Sequence, residues 1–200
     1  NSSYYQEVID LTVGAAKDYI DSFNQVSTQT ASNVVGILKS CSLNPRVNTP
    51  ANLQKFQSVV KKLADTIDPF EITDQLTEEF LEVCENNLAE TNPNEKTLTL
   101  GIVNDNINIF NSKIFKEMKN TEVKNFLKEK IQMSLGSYNA QSLNSKKVSV
   151  DTASVQFSNN ISSTLLSTQY GVSVSLIPVS AENYSSILSV DLIGQTTSKS

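Results

Sequence analysis

Few residues in this 200-residue chain could carry out chemistry. Histidine is absent, which removes the commonest general base, the usual partner of a catalytic serine or cysteine, and the commonest metal ligand. The six glycines are scattered and form no phosphate-binding loop, and no serine lies in a G-x-S-x-G sequence. We therefore predict that the chain is not an enzyme and uses no cofactor. A hydrolase with serine or carboxylate chemistry is the opposing reading.

Carboxylates cluster at Glu78, Glu79, Glu82 and Glu85. Such a cluster could serve acid-base or metal chemistry, but at helical spacing most of its members lie opposite the apolar stripe of the same segment. We interpret it as a solvated helix face. The run Asn104–Asn106 resembles a calcium loop only faintly, because it lacks the glycine and distal glutamate of that motif. The sequence therefore predicts no metal site.

Two cysteines and three glycosylation sequons bear on the compartment of the protein. Cys41 and Cys84 fit neither a metal site nor a C-x-x-C motif; they would form a disulfide in a secreted protein and remain thiols in the cytosol. We expect the disulfide, which closes a loop of about 40 residues and could contribute on the order of 3 to 4 kcal/mol. The sequons begin at Asn1, Asn160 and Asn183 and predict N-glycosylation.

Charge and hydropathy exclude two kinds of partner. A net charge of −5, with no stripe of basic residues interleaved with aromatics, argues against nucleic acid. No apolar run reaches the roughly 20 residues that a membrane-spanning helix requires. Any membrane attachment is expected to lie outside these residues, and we expect both ends to be internal to a longer precursor. The predicted partners are other protein domains or copies of the same protein.

Helical periodicity dominates the first 137 residues and predicts six amphipathic helices. Their approximate ranges are 4–24, 27–40, 50–67, 69–88, 93–114 and 121–135. Prolines at the first position of the third, fourth and fifth helices mark where those helices begin. In the first helix, the apolar residues at positions three and four apart predict a buried stripe. It comprises Val8, Leu11, Ala15, Tyr19 and Phe23.

The pattern changes to alternation after a polar stretch at 138–147, which we interpret as a linker. Apolar residues alternate with serines in 148–157, 172–176 and 188–192, as in half-buried antiparallel strands with serine on the solvent face. The predicted fold class is α+β: a bundle of about six helices over 1–137, followed over 148–200 by an incomplete antiparallel β-sandwich. Its exposed edges would pair with further strands or with a neighbour.

The C-terminal strand series resembles one known family. The three phrases Val148–Phe157, Leu165–Leu176 and Ser186–Ile193, preceded by helical segments, are similar to the strands that open the GAIN domain of polycystin/REJ (receptor for egg jelly) proteins. The resemblance implies a juxtamembrane ectodomain whose β-sandwich continues beyond residue 200. The family's cleavage motif joins Cys and Trp to a His-Leu-Ser/Thr triplet. This chain has neither Trp nor His, so no residue here is assigned to cleavage.

The resemblance implies a non-enzymatic scaffold or interaction module of a larger cell-surface or filament protein. The expected location is extracellular or at the cell surface. A composition rich in Asn, Ser and Lys suits a protist such as a ciliate, which extends the expectation to the cilium. The alternative is an intracellular helical adaptor whose Ser/Thr-rich region after Tyr138 is regulated by phosphorylation.

Overall fold

The computed structural model describes residues 2–42, 49–90, 96–180 and 185–195. Within them, five α-helices precede six β-strands. The helices are α1 (Ser2–Asp21), α2 (Thr28–Ser42), α3 (Pro50–Thr66), α4 (Asp74–Glu90) and α5 (Lys96–Glu117). The strands are β1 (Val123–Leu127), β2 (Gln132–Asn139), β3 (Lys147–Val150), β4 (Ala153–Gln156), β5 (Gln169–Ser180) and β6 (Ser185–Gln195). The predicted α+β class with an N-terminal helical part is confirmed.

The chain divides into two compact units, residues 1–110 and 111–200, and the division falls within α5. The predicted boundary was a linker at 138–147. That stretch instead contains the end of β2 and a short 3-10 turn at Gln141–Leu143, and the Leu143 side chain is fully buried. The linker interpretation was wrong because this polar segment packs its few apolar residues into the core of the second unit.

The first unit is a helical bundle in which the described helix starts and the stripes of α2 to α5 mostly follow the sequence. The Thr49 hydroxyl accepts a hydrogen bond of 3.2 Å from the Asn52 amide and caps α3, with Pro50 as the first helical residue. The apolar stripes predicted for α2 to α5 mostly lie in the core. Phe80 of α4 and Phe110 of α5 stack there, with ring centroids 4.2 Å apart. This pair joins two predicted stripes in one buried contact.

Among the helix starts that the structure describes, one differs clearly from the prediction, and the start predicted at Pro93 lies outside the described residues. Pro69 opens a 3-10 turn at Pro69–Glu71, and α4 begins only at Asp74. The Asp68 carboxylate caps this turn, whereas the Thr73 hydroxyl accepts a 3.1 Å hydrogen bond from the Leu76 amide and caps the helix. The sequence offers two consecutive capping signals, and the second one starts α4.

The second unit contains a four-stranded antiparallel sheet in the order β1-β2-β5-β6 and a separate β3–β4 hairpin. One face of the large sheet packs with the hairpin, where Tyr138 and Val172 lie in the same core as Val148 and Val150. The structure therefore has sheet layers where a sandwich was predicted, and the Val/Ser alternation does mark strands.

The opposite face of the sheet is also buried, contrary to the prediction of a solvent-facing serine row. Ser173 and Ser175 of β5 are almost inaccessible. The Asn111 amide of α5 donates a 3.0 Å hydrogen bond to the Ser173 hydroxyl, and Phe115 packs over Gly171. Small residues were required here because the C-terminal turns of α5 lie close against β5.

The sixth predicted helix, 121–135, was wrong, since these residues form β1 and the start of β2. Strand β1 pairs with β2 in a register that places Phe126 opposite Met133. The turn between them closes with a 3.1 Å hydrogen bond from the Lys128 amide to the Ile131 carbonyl. Pairing of β2 with the distant β5 overrides the local helical periodicity.

Candidate interaction surface

The most distinctive surface of the first unit is an apolar row on α1. Five residues spaced three or four apart face solvent along this helix, which we call the outward stripe: Tyr4, Val8, Leu11, Ala15 and Tyr19. Tyr4 is 62% exposed, Leu11 66% and Tyr19 40%. Isolated exposed apolar residues are ordinary, but a continuous row is typical of a protein–protein contact.

The outward stripe is the face that the sequence predicted to be buried, so that prediction was wrong. The residues that α1 buries are Val13, Ala16 and Ile20, on a face about 130° around the helix at 100° per residue. An ion pair of 2.6 Å between Asp10 and Lys55 of α3 joins the two helices near the buried face. Small and β-branched side chains allow close packing there, and the bulkier stripe is left outside.

Aromatic contacts extend both ends of the outward stripe. The Tyr4 ring meets the adjacent Tyr5 ring edge-on, with centroids 5.9 Å apart, and Tyr5 is itself 59% exposed. The Tyr19 ring meets Phe23 edge-on at 5.0 Å, just beyond the end of the helix. The apolar surface is therefore continuous over about 22 Å, the length of 15 residues of helix.

Acidic side chains border the outward stripe. Glu7 and Asp18 are exposed on one side of it, and within the described residues neither forms an ion pair. Asp21, by contrast, accepts a 2.6 Å hydrogen bond from Lys17, and this contact raises the pKa of the Lys17 ammonium. Asp18 also contributes to the raised pKa of Lys17 through the attraction of its charge, but no ion pair among the described residues binds Glu7 or Asp18, so the border of the stripe is negative.

A second apolar surface lies on β6, at one edge of the four-stranded sheet. Ile187, Leu188 and Val190 are each about two-fifths exposed there. Leu188 and Val190 lie on the face shared with the hairpin, opposite Leu176 and Val174 of β5. Asp191 is the one charged residue of the strand. The exposed sheet edge expected from the sequence is thus present at β6.

An open polar groove of about 420 Å³ lies between α2 and α4. Its walls carry the hydroxyl, amide and charged groups of Thr28, Ser32, Lys39, Thr73, Gln75 and Glu79, together with Gly36 and Leu76. At one end the Thr28 hydroxyl donates a 2.5 Å hydrogen bond to the Glu71 carboxylate, and the Thr28 amide donates another at 3.0 Å. These bonds lower the pKa of Glu71. A carboxylate so stabilised is a weak base, so the pair suits the anchoring of a helix N-terminus better than activation of a hydroxyl.

Both cysteines predicted to form a disulfide are buried, Cys41 on α2 and Cys84 on α4, and in this structure they are thiols. Burial raises the pKa of the Cys84 thiol far above its ordinary value, and the neighbouring Glu85 carboxylate adds to this. A thiol held neutral in this way is a poor nucleophile.

The two helices that carry the cysteines are joined on either side of them. An ion pair of 2.6 Å links Lys39 to Glu82, and the Asn86 amide donates a 2.8 Å hydrogen bond to the Ser42 hydroxyl. From the first contact to the second, the residue number rises on both α2 and α4, so the two helices run parallel. The structure thus brings the two cysteines to the same stretch of one helix–helix contact.

One of the three predicted glycosylation sites can be located. Asn160 is exposed at the start of the 3-10 turn Ile161–Thr164. The sequon hydroxyl, that of Ser162, accepts a 2.9 Å hydrogen bond from the Asn144 amide. Asn1 and Asn183 lie outside the described residues. Asn160 is therefore accessible to a modifying enzyme, as a glycosylation site must be.

The carboxylate cluster of α4 is less solvated than predicted. Glu78 is exposed, but Glu82 pairs with Lys39 and Glu85 is buried. The run Asn104–Asn106 lies within α5, as expected. Among the described residues, no group of carboxylates, cysteines or histidines is arranged to hold a metal ion. In the same residues no helix is long and apolar enough to cross a membrane.

Comparison with solved structures finds a likeness of fold. The chain is similar to the full extracellular region of zebrafish Gpr126/Adgrg6, with a TM-score of 0.65 and 12% identity. The likeness covers 88% of this chain and 27% of the zebrafish chain. At this identity it shows a shared fold. No family model matches the sequence, and no curated relative matches it. The shared fold agrees loosely with the GAIN-like part of the resemblance, and no comparison supports its REJ or polycystin part.

Proposed function

We propose that this chain is a non-enzymatic interaction module of a larger extracellular or cell-surface protein, with a GAIN-like arrangement of helices before strands. The observation that carries the proposal is the likeness of nearly the whole chain to the extracellular region of Gpr126/Adgrg6. The outward stripe supports an interaction role, because an aromatic row that the bundle leaves in water is suited to a partner. The partners are other protein domains.

The accessible sequon provides a direct test of location. In protein purified from its native source, we expect an N-linked glycan at Asn160, detected by mass spectrometry of the peptide that contains it before and after enzymatic deglycosylation. Asn144 lies in the preceding peptide, outside any sequon, and is the control. An unmodified Asn160 together with phosphorylated serines after Tyr138 would contradict the extracellular proposal and favour the intracellular adaptor.

Oxidation of the cysteine pair is the second feature expected of an extracellular module. Cys41 and Cys84 lie on two packed parallel helices, and a bond between them would cross-link α2 to α4. By chain entropy it would add on the order of 3 to 4 kcal/mol to the free energy of unfolding. Alkylation of the unfolded protein with and without prior reduction measures the state of the pair, because both cysteines are buried in the native protein. We expect labelling of both cysteines only after reduction and unfolding.

A further inference from the structure

We propose that the outward stripe of α1 binds an amphipathic helix of a partner protein whose apolar stripe is bordered by lysines or arginines. This inference rests on the proposed interaction function and names the chemistry of the partner. It draws on the shape, the area and the charge of the α1 surface.

The shape of the surface suits a helix. The outward stripe is straight and about 22 Å long, equivalent to four turns. Bulky Tyr4, Leu11 and Tyr19 alternate along it with the smaller Val8 and Ala15, so the surface is shallow at two positions between the tyrosines. A partner helix that presents apolar residues three and four apart can lie along this surface and place its larger side chains between the tyrosines.

The area of the surface indicates a weak complex. Together, the stripe and Tyr5 expose roughly 450 Å², taking about 200 Å² for a whole tyrosine and smaller areas for leucine and valine. A partner that buries a similar area gives a total of about 900 Å², at the low end for specific protein contacts. We therefore expect a dissociation constant on the order of 10 to 100 µM.

The charge of the border selects a basic partner over a second copy of this chain. Two α1 helices that packed antiparallel, with Tyr4 of each against Tyr19 of the other, would bring Glu7 of one copy near Asp18 of the other. The two positions would differ by about 3 Å along the helix axis, on the same side of the contact. This pairing repels, whereas lysines or arginines at the same places would attract both carboxylates.

The experiment uses two synthetic 18-residue helical peptides with an identical leucine stripe, bordered by lysines in one and by glutamates in the other. Fluorescence anisotropy measures their binding to the full chain. We expect the lysine peptide to bind at least about tenfold more tightly than the glutamate peptide, and less tightly as salt is raised. Leu11→Asp should weaken binding at least about fivefold, whereas Leu98→Asp, on α5, should leave it unchanged. Leu98 is a matched control because its exposure is 69%, against 66% for Leu11.

Reversing the charge of the border tests whether peptide selectivity depends on the two border carboxylates or only on the net charge of the protein. The double variant Glu7→Lys with Asp18→Lys should invert the preference, so that the glutamate peptide binds better. The control is Glu78→Lys with Asp105→Lys, which changes two exposed carboxylates elsewhere by the same charge. Equal effects of the two double variants, or of Leu11→Asp and Leu98→Asp, would overturn the proposal.

Sedimentation equilibrium of the chain alone tests whether a second copy of the chain, rather than a basic helix, occupies the outward stripe. Self-association that is lost in Leu11→Asp and kept in Leu98→Asp would identify a second copy and overturn the basic-helix proposal. The location test is independent of all these outcomes. A glycan at Asn160 without peptide selectivity would refute this inference and leave the extracellular module standing. Peptide selectivity in a protein without the glycan would support this inference and contradict the extracellular location.

Discussion

Replacement of Gly171 by alanine should destabilise the second unit, because the added methyl group would overlap one neighbouring side chain. A Cβ atom at Gly171 would lie 2.3 Å from Cγ of Phe115, where ordinary contacts are 3.4 to 4 Å. The ring would have to move by about an ångström, and it is almost fully buried. Because Cγ is close to the backbone of α5, the ring cannot simply rotate away.

The net effect combines two terms of opposite sign. Overpacking a well-filled core costs about 1 to 3 kcal/mol. Restriction of the unfolded chain on replacing glycine by alanine returns about 0.4 to 1 kcal/mol. We therefore expect Gly171→Ala to lower the free energy of unfolding by about 1 to 2 kcal/mol. The control is Gly101→Ala in α5, where a Cβ meets nothing within 4 Å and alanine should stabilise the helix by about 0.5 to 1 kcal/mol.

Urea denaturation followed by circular dichroism measures both variants, and a double-mutant cycle identifies the cause. Phe115→Ala removes Cγ and the ring atoms that the new Cβ meets, so its cost should be smaller in the Gly171→Ala background than in the wild type. We expect a coupling of about 1 kcal/mol between the two positions. A Gly171→Ala protein as stable as the wild type, or effects that simply add, would refute the contact between α5 and β5.

The hydrogen bond between Thr28 and Glu71 and the burial of Cys84 each give a prediction that can be measured separately. Thr28→Val removes the hydroxyl that donates to Glu71, so the pKa of Glu71 should rise towards its ordinary value in an NMR titration. Because the folded pKa is lowered, Glu71 stabilises the fold above its unfolded pKa of about 4.3 and loses this contribution on acidification. The variant should therefore lose less stability on acidification than the wild type, and a parallel loss would contradict this. Cys84, whose thiol pKa is raised by burial, should resist thiol reagents in the reduced native protein and react on unfolding. Rapid labelling of the native protein would show that α4 opens.

The helices that could be predicted from sequence are those with both a cap and a periodic stripe. In α3, Thr49 and Pro50 define the start, and Val59, Val60 and Leu63 define the buried face. These signals act within a few residues of one another, so the sequence contains all the information that the element requires. Local capping cannot, however, choose between two adjacent caps, which is why the start of α4 was misplaced.

The residues of β1 and β2 could not be assigned in the same way. Phe126, Ile131 and Leu135 fit helical spacing, yet β1 pairs with β2, and β2 pairs with β5, more than thirty residues after Leu135 in the chain. The poor helix formers Ser134, Gly136 and Ser137 were a signal against a helix. Strand β2 is buried on both faces of the sheet, so its sequence lacks the alternation of polar and apolar residues that would have marked a strand.

The candidate surface on α1 shows why apolar composition alone cannot decide which face of a helix is buried. α1 has two apolar stripes, and by area the one with tyrosines and leucine is the larger. Packing nevertheless buries the smaller one, because Ala16 permits close contact and a buried tyrosine hydroxyl would need a hydrogen-bond partner. Leaving about 450 Å² in water forgoes at most roughly 11 kcal/mol of hydrophobic stabilisation. Part of that free energy becomes accessible to a partner, and the loss of translational and rotational freedom, about 4 to 15 kcal/mol, consumes most of it. The α1 surface is therefore suited to reversible binding, in which the charged border contributes selectivity more than affinity.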